Sequence, residues 1–310
     1  MCSLKLIGCT ASKYIFMKMK IALVTSAVLM SFCSWAQPLF ELSTNVYRVP
    51  YSGGTDIHVT NDHLNHSPQG RYDMSGQNNG SSCSVNYPIR AAAEGIVRRI
   101  VDNHNSKPPD CDPNCSDFNN YVWIEHANGE WSKYTHMKQN SVTVNAGLQV
   151  GDQVCAGTFL GYECEIGQAS GPHLHFEVRR PNDPSNVQIS TAGGFMSDAA
   201  HLIPVINSLS AHCFVANTDI TASSSNACTH TDISINIPIA IGNNGIKIYM
   251  ASNTITNTAN IPVLYNNGAN GMMHAGNSIT LKPGFQALPG SYFSARIGDC
   301  ATTNLTGSCQ

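Results

Sequence analysis

Gly171-Pro172-His173-Leu174-His175-Phe176-Glu177 is the stretch of sequence that says most about the fold around it. Its two histidines are separated by one apolar residue, a spacing that favours a β-strand with one polar and one apolar face. His173, His175 and Glu177 would then point to one side of a sheet, while the apolar residues between them enter a core. Two imidazoles on one face are able to meet one metal ion.

Two upstream segments contain the side chains that a metal site of this kind needs. His66 and Asp73 lie seven residues apart in a polar loop, and His136 follows Tyr134 by two residues in a later segment. One carboxylate, several imidazoles and an open fourth position are typical of a catalytic zinc site. A structural zinc site would instead use four protein ligands, often cysteine thiolates. The pattern therefore favours a catalytic centre.

Seven segments in this order resemble the lysostaphin/LytM-type zinc endopeptidases, a family that cuts peptidoglycan cross-links and includes the β-lytic and staphylolytic enzymes. The resemblance covers residues 58 to 180. It is carried by the pair His66 and Asp73 and by residues 87–97, 120–129, 134–137, 146–152, 156–161 and 171–177.

The resemblance assigns roles to five residues in this sequence. It implies three ligands for one zinc ion, His66, Asp73 and His175, and two unligated catalytic histidines, His136 and His173. Many family members place the first histidine four residues before the aspartate, whereas the spacing here is seven residues, which looks like the staphylolytic branch. His63, ten residues before Asp73, remains an alternative to His66.

Two more residues on the predicted site strands have alternative interpretations. Tyr134 would share the strand face of His136, so it is predicted to contact substrate, with core packing as the equal alternative. Glu177 shares the face of His175. It either orients a histidine through the second ring nitrogen or ends the strand in solvent.

The resemblance implies a zinc metalloendopeptidase that hydrolyses peptide bonds in bacterial cell-wall peptidoglycan, with cross-links or stem peptides as its partners. An alternative of another class is a non-catalytic LytM-like module that binds the wall or activates other hydrolases. A D-alanyl-D-alanine carboxypeptidase also uses a histidine and an aspartate on zinc. Its last ligand comes from a Trp-His element, which this sequence lacks.

The first 36 residues are predicted to be a signal peptide with an upstream extension. A basic start at residues 17–20, an apolar run at 21–32 and small side chains at Ser34 and Ala36 are typical of such a signal. The apolar run is shorter than the ~20 residues that a membrane-spanning helix requires. The mature protein is therefore expected to be secreted to the periplasm, the cell surface or the medium, with no transmembrane segment.

The charge balance argues against nucleic acid or an anionic membrane as partner. Removing the predicted signal lowers the formal net charge from −3 to −7, because that segment has four lysines and no acidic residue. Only 12% of the residues are charged, so the chain offers few clustered cations for phosphate groups.

Nine cysteines follow the predicted signal, and an exported chain with this many cysteines is expected to contain disulfides. Spacing does not establish their connectivity. The neighbouring pairs are Cys155 with Cys164, Cys111 with Cys115, Cys213 with Cys228 and Cys300 with Cys309. The odd number leaves one thiol unpaired, and Cys83 is the candidate.

The predicted fold class is mainly β. Residues 37–180 form an antiparallel peptidase domain that is LytM-like, of the duplicated-hybrid-motif type, by the resemblance. A connecting region at 181–232 is expected to contain a short helix near residues 197–201. Residues 233–310 resemble a small stacked β-module called the coathanger stack. It would act as a substrate-binding or sorting appendage or as a structural cap.

Overall fold

The computed structural model describes residues 4–5, 40–77, 83–106, 108, 111, 115–223 and 230–297. It divides into an N-terminal unit, Leu42–Ala227, and a C-terminal unit built from Cys228–Cys300 together with Met1–Glu41. Of the residues described, no helix combines the length and the apolar character needed to cross a membrane. Most of the predicted signal lies outside the described residues.

The N-terminal unit contains a ten-stranded, mainly antiparallel sheet. This confirms the predicted fold class. Its strands are β2 (Glu41–Tyr47), β3 (Asp56–Asn61), β4 (Tyr72–Gly76), β6 (Gly95–Val101), β7 (Tyr121–Glu125), β8 (Trp131–Thr135), β9 (Gln153–Val154), β11 (Leu174–Pro181), β12 (Ala199–Ile206) and β13 (Thr218–Thr221). A separate pair joins β5 (Pro88–Arg90) to β10 (Phe159–Tyr162). Two short helical segments, Cys115–Phe118 and Ser141–Asn145, lie in connections.

Strand β11 begins at Leu174, within the stretch that opens the sequence analysis, and lies between β4 and β8. Its apolar residues Leu174, Phe176 and Val178 are fully buried in the main core, as the alternation predicts. Burial of each such side chain contributes about 1.5–3 kcal/mol to folding. Strands β7 and β8 form a hairpin, and its turn residue Gly129 has a positive φ of 79°.

The region expected to connect the two domains contributes two strands to the sheet. Strand β12 pairs with β11, and β13 pairs with β3. The predicted short helix near residues 197–201 is wrong, because this segment enters β12, where Leu202 and Val205 are fully buried. Its apolar residues pack into the core as an extended strand.

Two of the cysteine pairs expected from spacing do not form. Cys164 pairs with Cys83 rather than with Cys155, which is itself disulfide-bonded. Cys83 is therefore not the free thiol. Among the described residues, Cys213 is a free and buried cysteine, so its expected pairing with Cys228 is wrong as well. Neighbours in sequence were a poor guide because the sheet brings residues 81 positions apart into contact.

The Cys111–Cys115 disulfide forms as predicted. The suggested pair of Cys300 and Cys309 lies outside the described residues.

The C-terminal unit stacks short parallel strands, in contrast to the antiparallel sheet of the N-terminal unit. One layer joins β16 (Ile246–Asn257) to β18 (Asn270–Ala275), β14 (His230–Ile235) and β19 (Ser278–Leu281), and continues from β18 to β21 (Tyr292–Ile297). The other contains β15 (Ile239–Ile241), β17 (Val263–Tyr265) and β20 (Phe285–Ala287). Strand β1 (Leu4–Lys5) pairs antiparallel with β19.

A core of aliphatic and aromatic side chains lies between these layers. Tyr265, Phe285 and Phe293 pack with ring centroids 4.8–6.0 Å apart, within the range that favours aromatic pairs. This arrangement agrees with the predicted stacked β-unit. Membership of the coathanger-stack family stays a prediction.

Candidate metal and active site

The register of three neighbouring strands brings the predicted site residues together. Asp73 on β4 and Thr135 on β8 are both directly opposite His175 on β11. Residues opposite each other in adjacent strands have Cβ atoms only about 5 Å apart, so the side chains meet on the face away from the core. The Nδ1 atom of His175 lies 3.1 Å from Oδ1 of Asp73.

His66 reaches the same point from the loop between β3 and β4. The turn that starts this loop is held by Asp62, whose Oδ1 accepts hydrogen bonds from the backbone N–H groups of Leu64 and Asn65. Nε2 of His66 lies 3.4 Å from Oδ2 of Asp73. The fold thus joins a loop residue to two strand residues.

His66, Asp73 and His175 offer three ligand atoms that all lie within 4.8 Å of one another. Two nitrogens and one carboxylate oxygen form a donor set suited to a divalent transition metal. The second ring nitrogen of His66 is 2.7 Å from the carbonyl oxygen of Pro68, an outer hydrogen bond typical of metal-binding histidines. His63, the alternative ligand, is not in this group and lies beside the Tyr72 ring instead.

Asp73 is held as a carboxylate by its neighbours. Burial alone would raise its pKa, but hydrogen bonds from His175 and His66 hold the pKa well below its usual range. Asn61, opposite Asp73 on β3, donates a further hydrogen bond of 3.0 Å to Oδ2. A carboxylate fixed in this way is a negatively charged ligand over the whole physiological pH range.

His136 and His173 face the same cleft beside these three residues. Their ring centroids are 4.7 Å apart, and the ring of His136 is 5.8 Å from that of His175. Nδ1 of His136 lies 2.9 Å from the carbonyl oxygen of Ile166, and Nδ1 of His173 lies 2.8 Å from that of Gly171. A carbonyl only accepts hydrogen bonds, so each of these Nδ1 atoms carries a proton.

The protonation of His136 follows from its surroundings. Burial lowers its pKa well below the usual value, and the nearby imidazoles His173 and His175 lower the pKa further. At neutral pH this ring is neutral and able to accept a proton.

Tyr134 occupies the core rather than the cleft. It is fully buried against Phe176, and its hydroxyl accepts a hydrogen bond of 2.7 Å from the backbone N–H of Ala92. The prediction that it shares the face of His136 is wrong, because β8 ends at Thr135 and His136 takes a positive φ of 65°. This break shifts the strand alternation by one residue.

Glu177 lies beneath the cleft and is not a solvated strand end, since it is 1% exposed. Its carboxylate is 3.5 Å from Nζ of Lys133, 3.7 Å from Nε of Arg71 and 3.3 Å from Nη1 of Arg179. Burial raises the pKa of Glu177, but the charges of Lys133, His175 and Arg179 outweigh it and hold the pKa well below its usual range.

Lys133 is an equally buried partner in this group. Burial lowers the pKa of Lys133 to about 8, with Glu177 acting in the opposite direction. Its ammonium group donates to the carbonyl oxygen of Gly193 at 3.0 Å and lies 4.8 Å from the ring centre of Phe195. Lys133 and Phe195 both line the cleft, which has a volume of about 420 Å³.

Four further residues of the site, Asn61, Arg71, Lys133 and Phe195, are not marked by any motif in the sequence. Each comes from a different segment. The one sequence feature that points to Phe195 is the Gly193-Gly194 pair before it. Both glycines have positive φ, and a Cβ at Gly194 would lie 2.3 Å from the Tyr121 ring. This close turn brings Phe195 to the cleft.

Residues 78–202 match the family described as Peptidase family M23. This segment is an M23 peptidase domain. The LytM-type resemblance found in the sequence is therefore confirmed. The matched residues include His136, His173 and His175 of the M23 domain but start after Asp73, so geometry alone associates His66 and Asp73 with it.

Among curated proteins, the peptidoglycan DD-endopeptidase ShyC of Vibrio cholerae serotype O1 is 33% identical over 94 residues, which are 30% of this chain and 17% of that protein. The DD-carboxypeptidase/endopeptidase Mpg of Neisseria meningitidis serogroup B is 28% identical over 116 residues, which are 36% of this chain and 23% of that protein. The chain thus spans less than a quarter of the length of either relative.

Solved structures with similarity to the chain include the M23 metalloprotease pseudoalterin from the deep sea. It has 22% identity and a TM-score of 0.33, with 54% of this chain and 79% of that chain covered. The catalytic domain of lysostaphin from Staphylococcus simulans has 18% identity and a TM-score of 0.27, with 44% of this chain and 87% of that chain covered.

Proposed function

We propose that this chain is a secreted zinc metalloendopeptidase that hydrolyses peptide bonds in bacterial peptidoglycan. One observation carries the proposal: ligand atoms of His66, Asp73 and His175 converge within 4.8 Å, and the imidazoles of His136 and His173 face the same cleft. The substrate class is supported by the M23 match and by the names of ShyC and Mpg. An enzyme with this substrate acts outside the cytoplasm, in the periplasm, at the cell surface or in the medium.

In this proposal, His66, Asp73 and His175 hold one zinc ion. Zinc bound there would supply Lewis-acid polarisation of the scissile carbonyl and would lower the pKa of a water molecule. Backbone carbonyls accept hydrogen bonds from the Nδ1 atoms of His136 and His173, so Nε2 is the atom that each ring would offer to the reaction. One of these rings accepts a proton from the attacking water. Once protonated, it donates to the developing oxyanion or the leaving amine.

Metal content tests the ligand assignment. We expect one zinc per wild-type chain by elemental analysis, and loss of stoichiometric zinc in His66→Ala, Asp73→Ala and His175→Ala. Because three ligands join distant segments, these variants should also lose the increase in melting temperature that zinc gives. His63→Ala and His58→Ala are matched controls and should keep zinc. Full zinc in His66→Ala with loss in His63→Ala would move the assignment to His63.

Digestion of defined cross-linked muropeptides tests the activity. We expect the zinc-loaded chain to release fragments whose masses differ from the substrate by the addition of water at one amide bond. A chelator should stop this release, and added zinc should restore it. Binding to peptidoglycan without any product at full zinc occupancy would favour the non-catalytic module instead.

A further inference from the structure

The charged group beneath the cleft has more positive than negative charge. Glu177 is its one carboxylate, and Arg71, Lys133 and Arg179 lie within 3.7 Å of it. His201 is also 3.6 Å from Glu177, but burial lowers the pKa of His201 to about 4, so this ring is neutral at neutral pH. The group therefore has two positive charges in excess. Buried charge is costly unless an opposite charge lies close to it.

Two of the three cations face the cleft. Arg71 and Lys133 line it, whereas Arg179 donates to the backbone carbonyls of Met196 and Ala199 and is absent from the lining. Both cleft cations lie beside the ring of Phe195, with Arg71 Cζ at 5.9 Å and Lys133 Nζ at 4.8 Å from the ring centre. The aromatic ring keeps the two positive charges on the same wall.

Arg71 has unused hydrogen-bonding capacity. A guanidinium has five N–H donors. Within the described part of the chain, Arg71 donates one hydrogen bond, a 3.5 Å contact from Nη1 to the carbonyl oxygen of Pro68. Its Nε is buried without a hydrogen-bond partner, and the side chain remains 12% exposed. A carboxylate matches the two-pronged donor geometry of arginine better than any neutral group.

The position of this wall relative to the proposed metal centre limits the ligand. Glu177, which Arg71 and Lys133 both approach, is 4.0 Å from Nε2 of His175, and Arg71 is two residues before Asp73. An anion held by the wall would therefore be close to the scissile amide.

We propose that Arg71, supported by the buried positive charge of Lys133 behind it, binds a substrate carboxylate adjacent to the scissile amide. This inference rests on the proposed function. A cross-link whose amide nitrogen comes from a diamino dicarboxylic acid has a free carboxylate on the carbon that bears this nitrogen, whereas a glycyl bridge has only neutral backbone there. The chain should accordingly prefer cross-links made through a diamino dicarboxylic acid.

The test compares two synthetic cross-linked peptides that differ in one group, a carboxylate or a carboxamide beside the scissile amide. Each is made in a cleavable form and in an uncleavable form with an N-methylated amide. With the zinc-loaded full chain, calorimetry should show that the uncleavable carboxylate peptide binds roughly 10- to 100-fold more tightly, the range for a hydrogen bond between charged groups. The kcat/KM values of the cleavable pair should differ by a similar factor.

Three results separate this inference from the proposed function. Equal binding of the two peptides overturns the carboxylate site even if both are cleaved. A binding preference without any cleavage leaves the carboxylate site intact and overturns the proposed activity. Failure to bind either peptide overturns the carboxylate site.

Variants assign the preference to residues. Arg71→Gln should bind both peptides with the affinity that wild type has for the carboxamide, which also shows that the variant is folded. Arg71→Lys keeps the positive charge but loses the two-pronged donor geometry. Its preference for the carboxylate peptide over the carboxamide peptide should lie between those of wild type and Arg71→Gln. Arg98→Gln is the matched control, because Arg98 is exposed and pairs with Glu125 outside the cleft. A full carboxylate preference in folded Arg71→Gln would contradict the proposal.

Discussion

The two units use similar strands but bury different side chains. The N-terminal unit buries ionisable groups in its sheet, among them Lys133, Glu177 and Arg179. In residues 230–297 of the C-terminal unit, the buried polar side chains apart from tyrosine are the amides Asn257 and Asn270, and no charged side chain is buried. A buried charge costs several kcal/mol when it is unpaired. The difference indicates that one unit is built around charged chemistry and the other around apolar stacking.

Removing a buried carboxylate from the N-terminal unit should cause the largest loss of unfolding free energy. Glu177→Ala leaves Lys133 and Arg179 without their negative partner, and breaking a buried ion pair from one side costs about 3–5 kcal/mol. The matched change Asp232→Ala in the C-terminal unit removes an exposed carboxylate and should cost less than about 1 kcal/mol. Urea unfolding of both variants measures the free energies. Equal losses would remove the distinction between the two units.

Truncating the apolar core of the C-terminal unit should have the next largest effect. Ile255 is 1% exposed, and a buried Ile→Ala change costs roughly 2–5 kcal/mol of unfolding free energy. Peptide hydrolysis by Ile255→Ala at a temperature where it is folded should equal that of wild type. Ile57→Ala provides the same truncation in the N-terminal core. Reduced kcat with intact fold in Ile255→Ala would show that catalysis also depends on the C-terminal unit.

The smallest effect is expected at Tyr134. Tyr134→Phe removes the acceptor of the Ala92 N–H and should cost about 1–3 kcal/mol of stability, because that donor becomes unsatisfied. Hydrolysis rates should stay within roughly twofold of wild type, since removal of a buried hydroxyl away from the cleft touches no reacting group. A large rise in KM without loss of stability would return Tyr134 to the substrate site.

Local periodicity was sufficient for part of the site. The alternation of the stretch around His173 and His175 correctly predicted which side chains enter the core, because β11 is a regular strand. The same rule failed one strand away at Tyr134. There a positive φ at His136 changes the side-chain direction, and no neighbouring glycine marks this change in the sequence.

Long-range pairing explains most of what the sequence did not predict. Lys133 looks like an ordinary strand residue until β11 places Glu177 opposite it. Phe195 lies in a region expected to be only a connection, and Cys83 reaches Cys164 through the fold of the whole sheet. Spacing along the chain carries no information about such contacts, since they depend on strand order and register.

The kcat/KM of zinc-loaded His136→Ala on a cross-linked muropeptide tests the central claim most directly. Loss of a general base or an oxyanion donor lowers the rate by about 100- to 1000-fold. We expect that loss together with retention of one zinc per chain, and the same pair of results for His173→Ala. His58→Ala, an exposed histidine paired with Asp219, should keep both zinc and rate. Near-normal turnover by folded, zinc-loaded His136→Ala would contradict the account.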